Sequence, residues 1–187
     1  MTISNTSIEP TPNPNALKFI LDKCVKTEDS STYRTPSECG NNQLALKIFY
    51  IRGIDQIHFH SNVITITKFS YEDWENLESE ITNVIDQNIA EHDPSYIEID
   101  PEKERRKSLG PELLKIEEII DKTIRPGLQG DGGDIQCISF DDHVLIVRYQ
   151  GACGTCPSST TGTLEAIKGI LREKFDPDIN IYIAPDY

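Results

Sequence analysis

The sequence predicts an α+β protein made of two small domains, each a short sheet packed with helices. In both halves of the chain, short β-rich runs alternate with stretches whose apolar residues recur every three or four positions. The composition, with 37% hydrophobic and 26% charged residues, is typical of a globular protein. Residues 91–110, between the halves, are rich in charge, proline and glycine, which predicts a linker. The predicted domains are therefore residues 1–90 and 111–187.

The first domain is predicted from its strand and helix signals. Its predicted elements are, in order, a strand at 16–21, a polar loop at 22–42, a short helix at 43–51, strands at 54–60 and 63–68, and a helix at 71–89. Only Ser61 and Asn62 separate the last two strands, so these strands are expected to form a hairpin. Leu77, Ile81 and Ile85 share one face of the second helix, which is expected to cover that hairpin.

The second domain has the predicted order helix, strand, strand, cysteine loop, helix, strand, and the loop carries a Cys-x-x-Cys motif. Pro111 suits the first turn of a helix whose apolar stripe runs to Ile124, and Pro126 with Gly127 is expected to end it. The remaining predicted elements are strands at 135–140 and 143–149, a helix at 158–175 and a strand at 179–183. A unit of about 75 residues is just large enough to support its own core.

Charge and hydropathy argue against two classes of partner. The chain has 31 acidic and 18 basic residues and a net charge of −13, so the phosphate backbone of a nucleic acid would be repelled. No stretch reaches the roughly 18 consecutive apolar residues that a membrane helix needs. Residues 1–14 lack both an apolar signal core and the Arg-rich character of a transit peptide. We therefore expect a cytoplasmic bacterial protein, or a mitochondrial matrix protein if the chain is a processed eukaryotic form.

Cys153 and Cys156 are the candidate site residues. Five cysteines without a secretory signal do not suggest a disulfide framework, and in a reducing cytosol a close pair more often indicates metal or redox chemistry. Gly154, between the two, permits backbone angles that a side chain would oppose. Pro157 and Ser158 favour the start of a helix, whose positive dipole end would stabilise thiolates.

Spacing alone leaves several interpretations of the pair open. A structural zinc site needs four ligands, and the second domain offers only Cys137 and His143 besides, which do not form a suitable pair. A thioredoxin-like redox motif is expected in a parallel βαβ unit, whereas this pair follows half of an antiparallel hairpin. An unligated loop pair is a further alternative. An iron–sulfur cluster normally takes four thiolates, which two copies of the chain would supply, so this interpretation predicts a homodimer bridged by the cluster.

Several separated motifs resemble a known family. The second half carries, in order, IRP at 124–126, DGGDI at 131–135, GACGTCPSS at 151–159 and TL at 163–164. This series is similar to the C-terminal domain of NifU-type iron–sulfur cluster proteins, over about residues 113–184. The first half resembles the N-terminal domain of the Nfu branch through PNPNALKF at 12–19, GIDQI at 53–57, VITITK at 63–68 and Trp74. Together the two matches cover most of the chain.

The resemblance implies a function. Members of this family assemble or carry a [4Fe–4S] cluster and pass it to apo-proteins, and [2Fe–2S] is the alternative cluster type here. By carry-over, Cys153 and Cys156 are the cluster ligands, which recipient thiolates replace during transfer. The implied partners are a second copy of the chain, upstream cluster assembly proteins and apo iron–sulfur proteins. No residue matches an enzyme's nucleophile or acid–base pair, so a carrier is expected, with a thiol–disulfide oxidoreductase using the same pair as the alternative.

The other cysteines have simpler interpretations. Cys137 is expected to be a core residue of its strand rather than a ligand, because a buried cysteine behaves as a small hydrophobe. Cys24 and Cys39 lie in the predicted polar loop and are interpreted as incidental thiols.

Two further groups could bind cations but are interpreted structurally. His58 and His60 share a strand face and could chelate a metal, yet no acidic or cysteine partner is near in sequence, so a half-exposed strand face is favoured. The acidic run at 131–134 has two glycines at its centre, which favours a tight turn over a cation site. Its acidity could contribute to partner recognition.

Overall fold

The structure of the protein is a computed structural model that describes residues 6–96, 109–153 and 159–184. The chain divides into two compact units, Met1–Glu98 and Ile99–Tyr187. Each unit combines a sheet with helices, so the predicted α+β class is confirmed. None of the helices in the described ranges is long and apolar enough to cross a membrane.

The first unit is built on a five-stranded antiparallel sheet. Its strands are, in chain order, β1 (Ser7–Pro10), β2 (Ala16–Ile20), β3 (Lys26–Tyr33), β4 (Ile54–Ser61) and β5 (Val63–Lys68), and they lie side by side in the order β1-β2-β5-β4-β3. Helix α1 (Gln43–Phe49) precedes β4, and helix α2 (Trp74–Asn88) follows β5. The register places Phe59 opposite Ile64, which confirms the predicted β4–β5 hairpin.

The core of the first unit lies between its sheet and its two helices. The strands contribute fully buried residues such as Phe19, Phe59 and Ile64. The buried helix residues in this cluster are Leu44, Ala45 and Ile48 of α1 and Leu77, Ile81 and Ile85 of α2. The apolar stripe predicted for the second helix therefore faces the core, as its spacing indicates.

The prediction of a loop at 22–42 is wrong, because this stretch contains β3 and a short 3-10 helix, Pro36–Cys39. Strand β3 lacks an alternating apolar pattern because it lies at the edge of the sheet and is held by backbone pairing to β4. The register of that pairing also shifts between Lys26 and Ser30, which further interrupts the two-residue alternation by which a strand is recognised in a sequence. Strand β1 is also missing from the prediction, since all four of its residues are exposed at the opposite edge.

The chain after α2, predicted to belong to the linker, packs instead on β3. The His92 ring donates a hydrogen bond from Nε2 to the carbonyl oxygen of Val25, 2.8 Å away. Lys26 Nζ donates to the carbonyl oxygen of Tyr96 at 2.9 Å and lies 4.1 Å from the centre of the Tyr96 ring. The Tyr33 hydroxyl donates to the Tyr96 hydroxyl, also at 2.9 Å. These partners are far apart in sequence, so composition alone does not reveal them.

The second unit has a three-stranded sheet. Its elements are, in order, α3 (Pro111–Thr123), α4 (Arg125–Gly130), β6 (Gly133–Asp141), β7 (Val144–Gly151), α5 (Ser159–Lys174) and β8 (Asn180–Ile183). The strand order is β6-β7-β8, with β6 and β7 antiparallel. The predicted order of elements is confirmed except for α4, since Pro126 and Gly127 lie inside this short helix instead of following the previous one. Proline is compatible with the first turn of a helix, because its missing N–H needs no partner there.

The core of the second unit lies on one face of this sheet. Its central residues are Ile116 and Ile120 of α3, Ile135 and Cys137 of β6, Leu145, Val147 and Tyr149 of β7, and Ile167 and Leu171 of α5. Along β7 the buried positions alternate with partly exposed ones, which is the pattern of a strand with one covered face. Cys137 is buried among these residues, so its predicted core position is confirmed.

The connection from β7 through α5 to β8 is parallel, which corrects one argument drawn from the sequence. Val144 pairs with Asn180 and Val147 with Ile183 in a parallel register. The cysteine loop therefore does lie in a βαβ unit, between the end of β7 and the start of α5. Strand β8 is only four residues long, and no pattern within it indicates which neighbour it joins. The topology thus does not disfavour a redox role for the cysteine pair.

Two histidines are expected to titrate on opposite sides of the ordinary imidazole pKa of 6.5. Burial lowers the pKa of His92, and its hydrogen bond to Val25 only partly offsets this. The hydrogen bond and negative charge of Asp176 raise the pKa of His143, whose Nδ1 lies 2.7 Å from Asp176 Oδ2. Titration of the ring signals by NMR measures both midpoints. An Asp176→Asn variant should return the His143 midpoint towards 6.5 and leave the His92 midpoint unchanged.

The two shifts have opposite consequences for stability. Unfolded His92 binds a proton more readily than the native ring, so its contribution to stability falls as the pH drops below 6.5. Native His143 binds a proton more readily than the unfolded ring, so its contribution is present below 6.5 and is lost as the pH rises through the raised pKa. A His92 midpoint above 6.5 would contradict the first assignment, and a His143 midpoint below 6.5 would contradict the second.

Candidate functional site

Cys153 lies at the end of the second sheet, two residues after β7. Its side chain is 5% exposed and belongs to the buried cluster of the second unit. Cys156, the second predicted ligand, lies outside the described residues. The 16-residue helix α5 begins at Ser159, three positions after Cys156, where the sequence predicts the start of a helix.

The start of β6 approaches Cys153 very closely. Gly133, the first residue of β6, is paired with Gly151, the last residue of β7. A Cβ atom placed on Gly133 would lie 2.3 Å from Cys153 Sγ and 2.9 Å from Cys153 Cβ. The amide of Ala152 donates a hydrogen bond to the carbonyl oxygen of Gly132 at 3.1 Å, which fixes the loop against the same segment. The DGGD motif therefore forms the surface against which Cys153 packs.

Tyr149 is a neighbour of the site that the sequence does not single out. It lies on the core-facing side of β7, two positions before Gly151, and is buried. Burial raises the pKa of the Tyr149 phenol above its ordinary value, and the charge of Cys153 raises it further. The phenol therefore stays neutral over the physiological range of pH. The only signal in the sequence is its place in the alternating pattern of β7, which cannot separate a core residue from a site residue.

A partly buried ion-pair network centred on Arg125 adjoins the DGGD motif. Arg125 Nη2 lies 2.8 Å from Glu117 Oε2, and Arg125 Nε lies 3.0 Å from Asp134 Oδ1, while Nη1 pairs with Asp121. Arg125 Nη2 also donates to the carbonyl oxygen of Ile135 at 2.8 Å. Burial by itself would lower the pKa of Arg125, but the three carboxylates more than offset it and raise the pKa. The network ties α3 and α4 to the start of β6.

The histidine pair on β4 does not have the environment expected from the sequence. His58 is buried rather than half-exposed, and its Nδ1 lies 2.9 Å from the hydroxyl of Thr32 on the neighbouring strand. His60 is partly buried. The predicted half-exposed face is therefore wrong for His58, which is buried beside Thr32 of the neighbouring strand β3.

The remaining candidates are also placed by the structure. Cys24 is exposed, but Cys39 is buried in the first core, since the stretch around it is a short helix and not a polar loop. Gly132, with a φ of 80°, confirms a tight turn within 131–134, and Asp134 in this run pairs with Arg125. Within the described ranges, no group of three or more His, Cys, Asp or Glu side chains is arranged to hold a metal ion.

Two similar solved structures each cover part of the chain. A solution structure of a NifU-like protein from Saccharomyces cerevisiae is 23% identical, covers 54% of this chain and 89% of that one, and gives a TM-score of 0.47. A crystal structure of a Staphylococcus aureus protein is 25% identical, covers 42% of this chain and 94% of that one, and gives a TM-score of 0.38.

Curated relatives extend over nearly the whole chain. The human protein named NFU1 iron-sulfur cluster scaffold homolog, mitochondrial, is 34% identical over 166 residues, which are 88% of this chain and 65% of the relative. The Arabidopsis thaliana NifU-like protein 5, mitochondrial, is 30% identical over 87% of this chain and 62% of its own length. This chain thus spans slightly less than two thirds of these two relatives.

Two family models and one further relative establish the family. The model of the NifU-like domain matches residues 116–182, and the model described as scaffold protein Nfu/NifU N terminal matches residues 6–92. A NifU-like protein of Schizosaccharomyces pombe is 33% identical over 195 residues, covering 94% of this chain and 75% of the relative. The chain therefore belongs to the NifU-like family, in the branch that joins an Nfu N-terminal domain to a NifU-like domain.

Proposed function

We propose that this protein binds a [4Fe–4S] cluster between two copies of the chain and transfers it to apo-proteins. The observation that carries the proposal is the match over 88% of the chain to a human protein named as an iron–sulfur cluster scaffold homolog. Cys153 and Cys156 are the proposed ligands. A [2Fe–2S] cluster would use the same four thiolates and is the alternative cargo.

The ligand count supports a homodimer. An iron–sulfur cluster is commonly held by four cysteine thiolates, and the Cys-x-x-Cys loop of one chain supplies two. Among the other cysteines, Cys24 and Cys39 belong to the first unit and Cys137 is buried in the second core. A second copy of the loop is therefore the proposed source of the missing pair. The helix dipole of α5, which starts just after the loop, favours thiolates at this position.

Transfer is proposed to be ligand exchange and not catalysis. A thiolate of the recipient forms an Fe–S bond while the bond to Cys153 or Cys156 breaks, so the iron and sulfide keep their oxidation states. The released cysteine takes up the proton that the recipient thiol gave up. The proposed partners are upstream assembly proteins as donors and apo iron–sulfur proteins as recipients, with the first unit contributing to recipient recognition.

A second candidate function is a thiol–disulfide oxidoreductase that uses the same cysteines. The parallel βαβ unit around the loop favours it, because redox Cys-x-x-Cys motifs occur at the start of a helix in such units. It requires a reversible disulfide between Cys153 and Cys156 and reductase activity without iron.

Anaerobic reconstitution with iron and sulfide tests the proposal. We expect about four iron and four sulfide per two chains, cluster absorbance, and a doubling of the molar mass in light scattering when the cluster is loaded. Incubation with an apo-acceptor should then move the cluster. A colourless protein that holds zinc, a monomer with a full cluster, or a metal-free protein with disulfide reductase activity would contradict the proposal.

The cellular location stays a prediction. Several of the relatives carry names that place them in mitochondria. These names favour the mitochondrial matrix if the chain comes from a eukaryote, and the bacterial cytoplasm is the location predicted otherwise.

A further inference from the structure

We propose that Gly133 is a positioning residue for Cys153, and that its missing side chain is what allows the thiol to take its place at the end of the sheet. The proposal rests on the proposed function in one respect, namely that Cys153 is a cluster ligand. The DGGD motif, interpreted from the sequence as a tight turn, then has a second role: it forms the surface on which the side chain of Cys153 packs.

The contact between the two residues is closer than any side chain would permit. A Cβ atom on Gly133 would lie 2.3 Å from Cys153 Sγ, 2.9 Å from Cys153 Cβ and 3.0 Å from the Cys153 backbone nitrogen. Rotation of the Cys153 side chain could move the sulfur away, but it would leave the other two contacts in place. An added methyl group therefore displaces the backbone of the loop as well as the sulfur.

Backbone conformation does not explain the glycine at this position. Gly132 and Gly151 have positive φ values of 80° and 61°, which favour glycine. Gly133 does not have a φ in this region and is paired as an ordinary strand residue with Gly151. Alanine could adopt the backbone of Gly133 without strain, so the close approach of Cys153 is the remaining physical requirement for glycine.

The segment that contains Gly133 is held in place by contacts with Arg125. Asp134, the next residue after Gly133, pairs with Arg125, while the hydrogen bond from the amide of Ala152 to the carbonyl oxygen of Gly132 ties the cysteine loop to this segment. Arg125 also donates to the carbonyl oxygen of Ile135. Gly133 is thus followed by two residues anchored to Arg125 and cannot easily move away from Cys153, so the loop has to give way instead.

The test compares Gly133→Ala with Gly169→Ala in the full chain without cluster. Gly169, inside α5, has open space where its Cβ would be, so the same chemical change there meets nothing. Alkylation of Cys153 by iodoacetamide, measured by mass spectrometry against the exposed Cys24 of the same molecule, reports access to the thiol. We expect about a tenfold faster reaction of Cys153 in Gly133→Ala, because the loop is displaced from its buried position, and no change in Gly169→Ala. An unchanged rate in both variants would overturn the proposal.

A double substitution covers the case in which Gly133→Ala does not fold. If the clash with the Cys153 sulfur is the cause, Gly133→Ala should lower the thermal midpoint less in a Cys153→Ala background than in the natural chain. Equal losses in the two backgrounds would show that Gly133 acts independently of Cys153 and would contradict the proposal.

The outcome is separable from that of the proposed function. Both measurements use cluster-free protein, so a coupling between Gly133 and Cys153 stands even if no cluster binds to the natural chain. If the natural chain does bind a cluster, Gly133→Ala is expected to lower its iron content about tenfold, and Gly169→Ala is expected to keep it. Full iron content in Gly133→Ala would show that the contact does not position the ligand.

Discussion

Replacement of Cys153 by serine is expected to lower the iron and sulfide content after anaerobic reconstitution to less than about a tenth of that of the natural chain. Serine is nearly the same size, but its hydroxyl is a harder donor than a thiolate and stays protonated at neutral pH. In a dimer bridged by the cluster, one substitution removes two of the four ligands at once. The iron and sulfide content should therefore fall much further than it would if all four ligands came from one chain. The cluster-loaded dimer should also no longer be detected by light scattering.

Cys24→Ser is the matched control for this experiment. Cys24 is exposed and belongs to the first unit, so the same exchange of sulfur for oxygen should leave the cluster content unchanged. Cys137 is unsuitable for this purpose, because its side chain is buried and a serine hydroxyl there would need a new hydrogen-bond partner. A Cys153→Ser protein that keeps its full cluster would exclude Cys153 as a ligand.

Replacement of Arg125 by methionine is expected to destabilise the second unit by about 3 kcal/mol, because it removes a positive partner of the buried carboxylates of Glu117 and Asp134. The side chains of Arg125, Glu117 and Asp134 are only 16%, 12% and 8% exposed. Methionine keeps an unbranched apolar chain out to about the position of Nε, so the main loss is that of the guanidinium charge and its hydrogen bonds. Urea denaturation followed by circular dichroism measures the loss.

The single tryptophan separates this effect from changes in the first unit. Trp74 lies in α2, so its fluorescence should report an unfolding transition that Arg125→Met leaves in place. Lys122→Met is the control, since Lys122 forms an exposed pair with Glu118, both more than 70% exposed, and should cost less than about 0.5 kcal/mol. Equal losses for the two variants would show that the Arg125 network contributes no more than a surface pair.

The elements that the sequence predicts correctly are those in which buried apolar residues recur at regular spacing along the chain. Leu77, Ile81 and Ile85 are spaced for one helical face and are buried together, and the β4–β5 hairpin follows from two β-rich runs with a short turn. Strands β1 and β3 show no such regular spacing of apolar residues, because they lie at the edges of the sheet. Their stability comes from backbone pairing to a neighbour, which any polar sequence can supply.

The candidate ligands Cys153 and Cys156 are predicted from the sequence and stay a prediction, whereas the surroundings of Cys153 could not be predicted from it. Cys-x-x-Cys spacing makes Cys153 a candidate ligand, because two cysteines this close in the chain can bind one metal centre. Its contact with Gly133, by contrast, depends on the pairing of β6 with β7, and the parallel placement of β8 depends on a crossover through α5. Neither is encoded by local periodicity, because each joins residues that are about 20 or more positions apart.

The packing of the chain after α2 on β3 sets the length at which the first unit can be studied by itself. A fragment cut at residue 90, where the sequence places the end of the domain, would lack both His92 and Tyr96. The edge-on contact of the His92 ring with Phe59 would be lost, and the Tyr33 hydroxyl would lose its partner in Tyr96. Such a fragment would expose to solvent aromatic side chains that are otherwise covered, and it would leave the edge strand β3 less protected. Both changes promote aggregation. A fragment carried through Tyr96 keeps that surface covered.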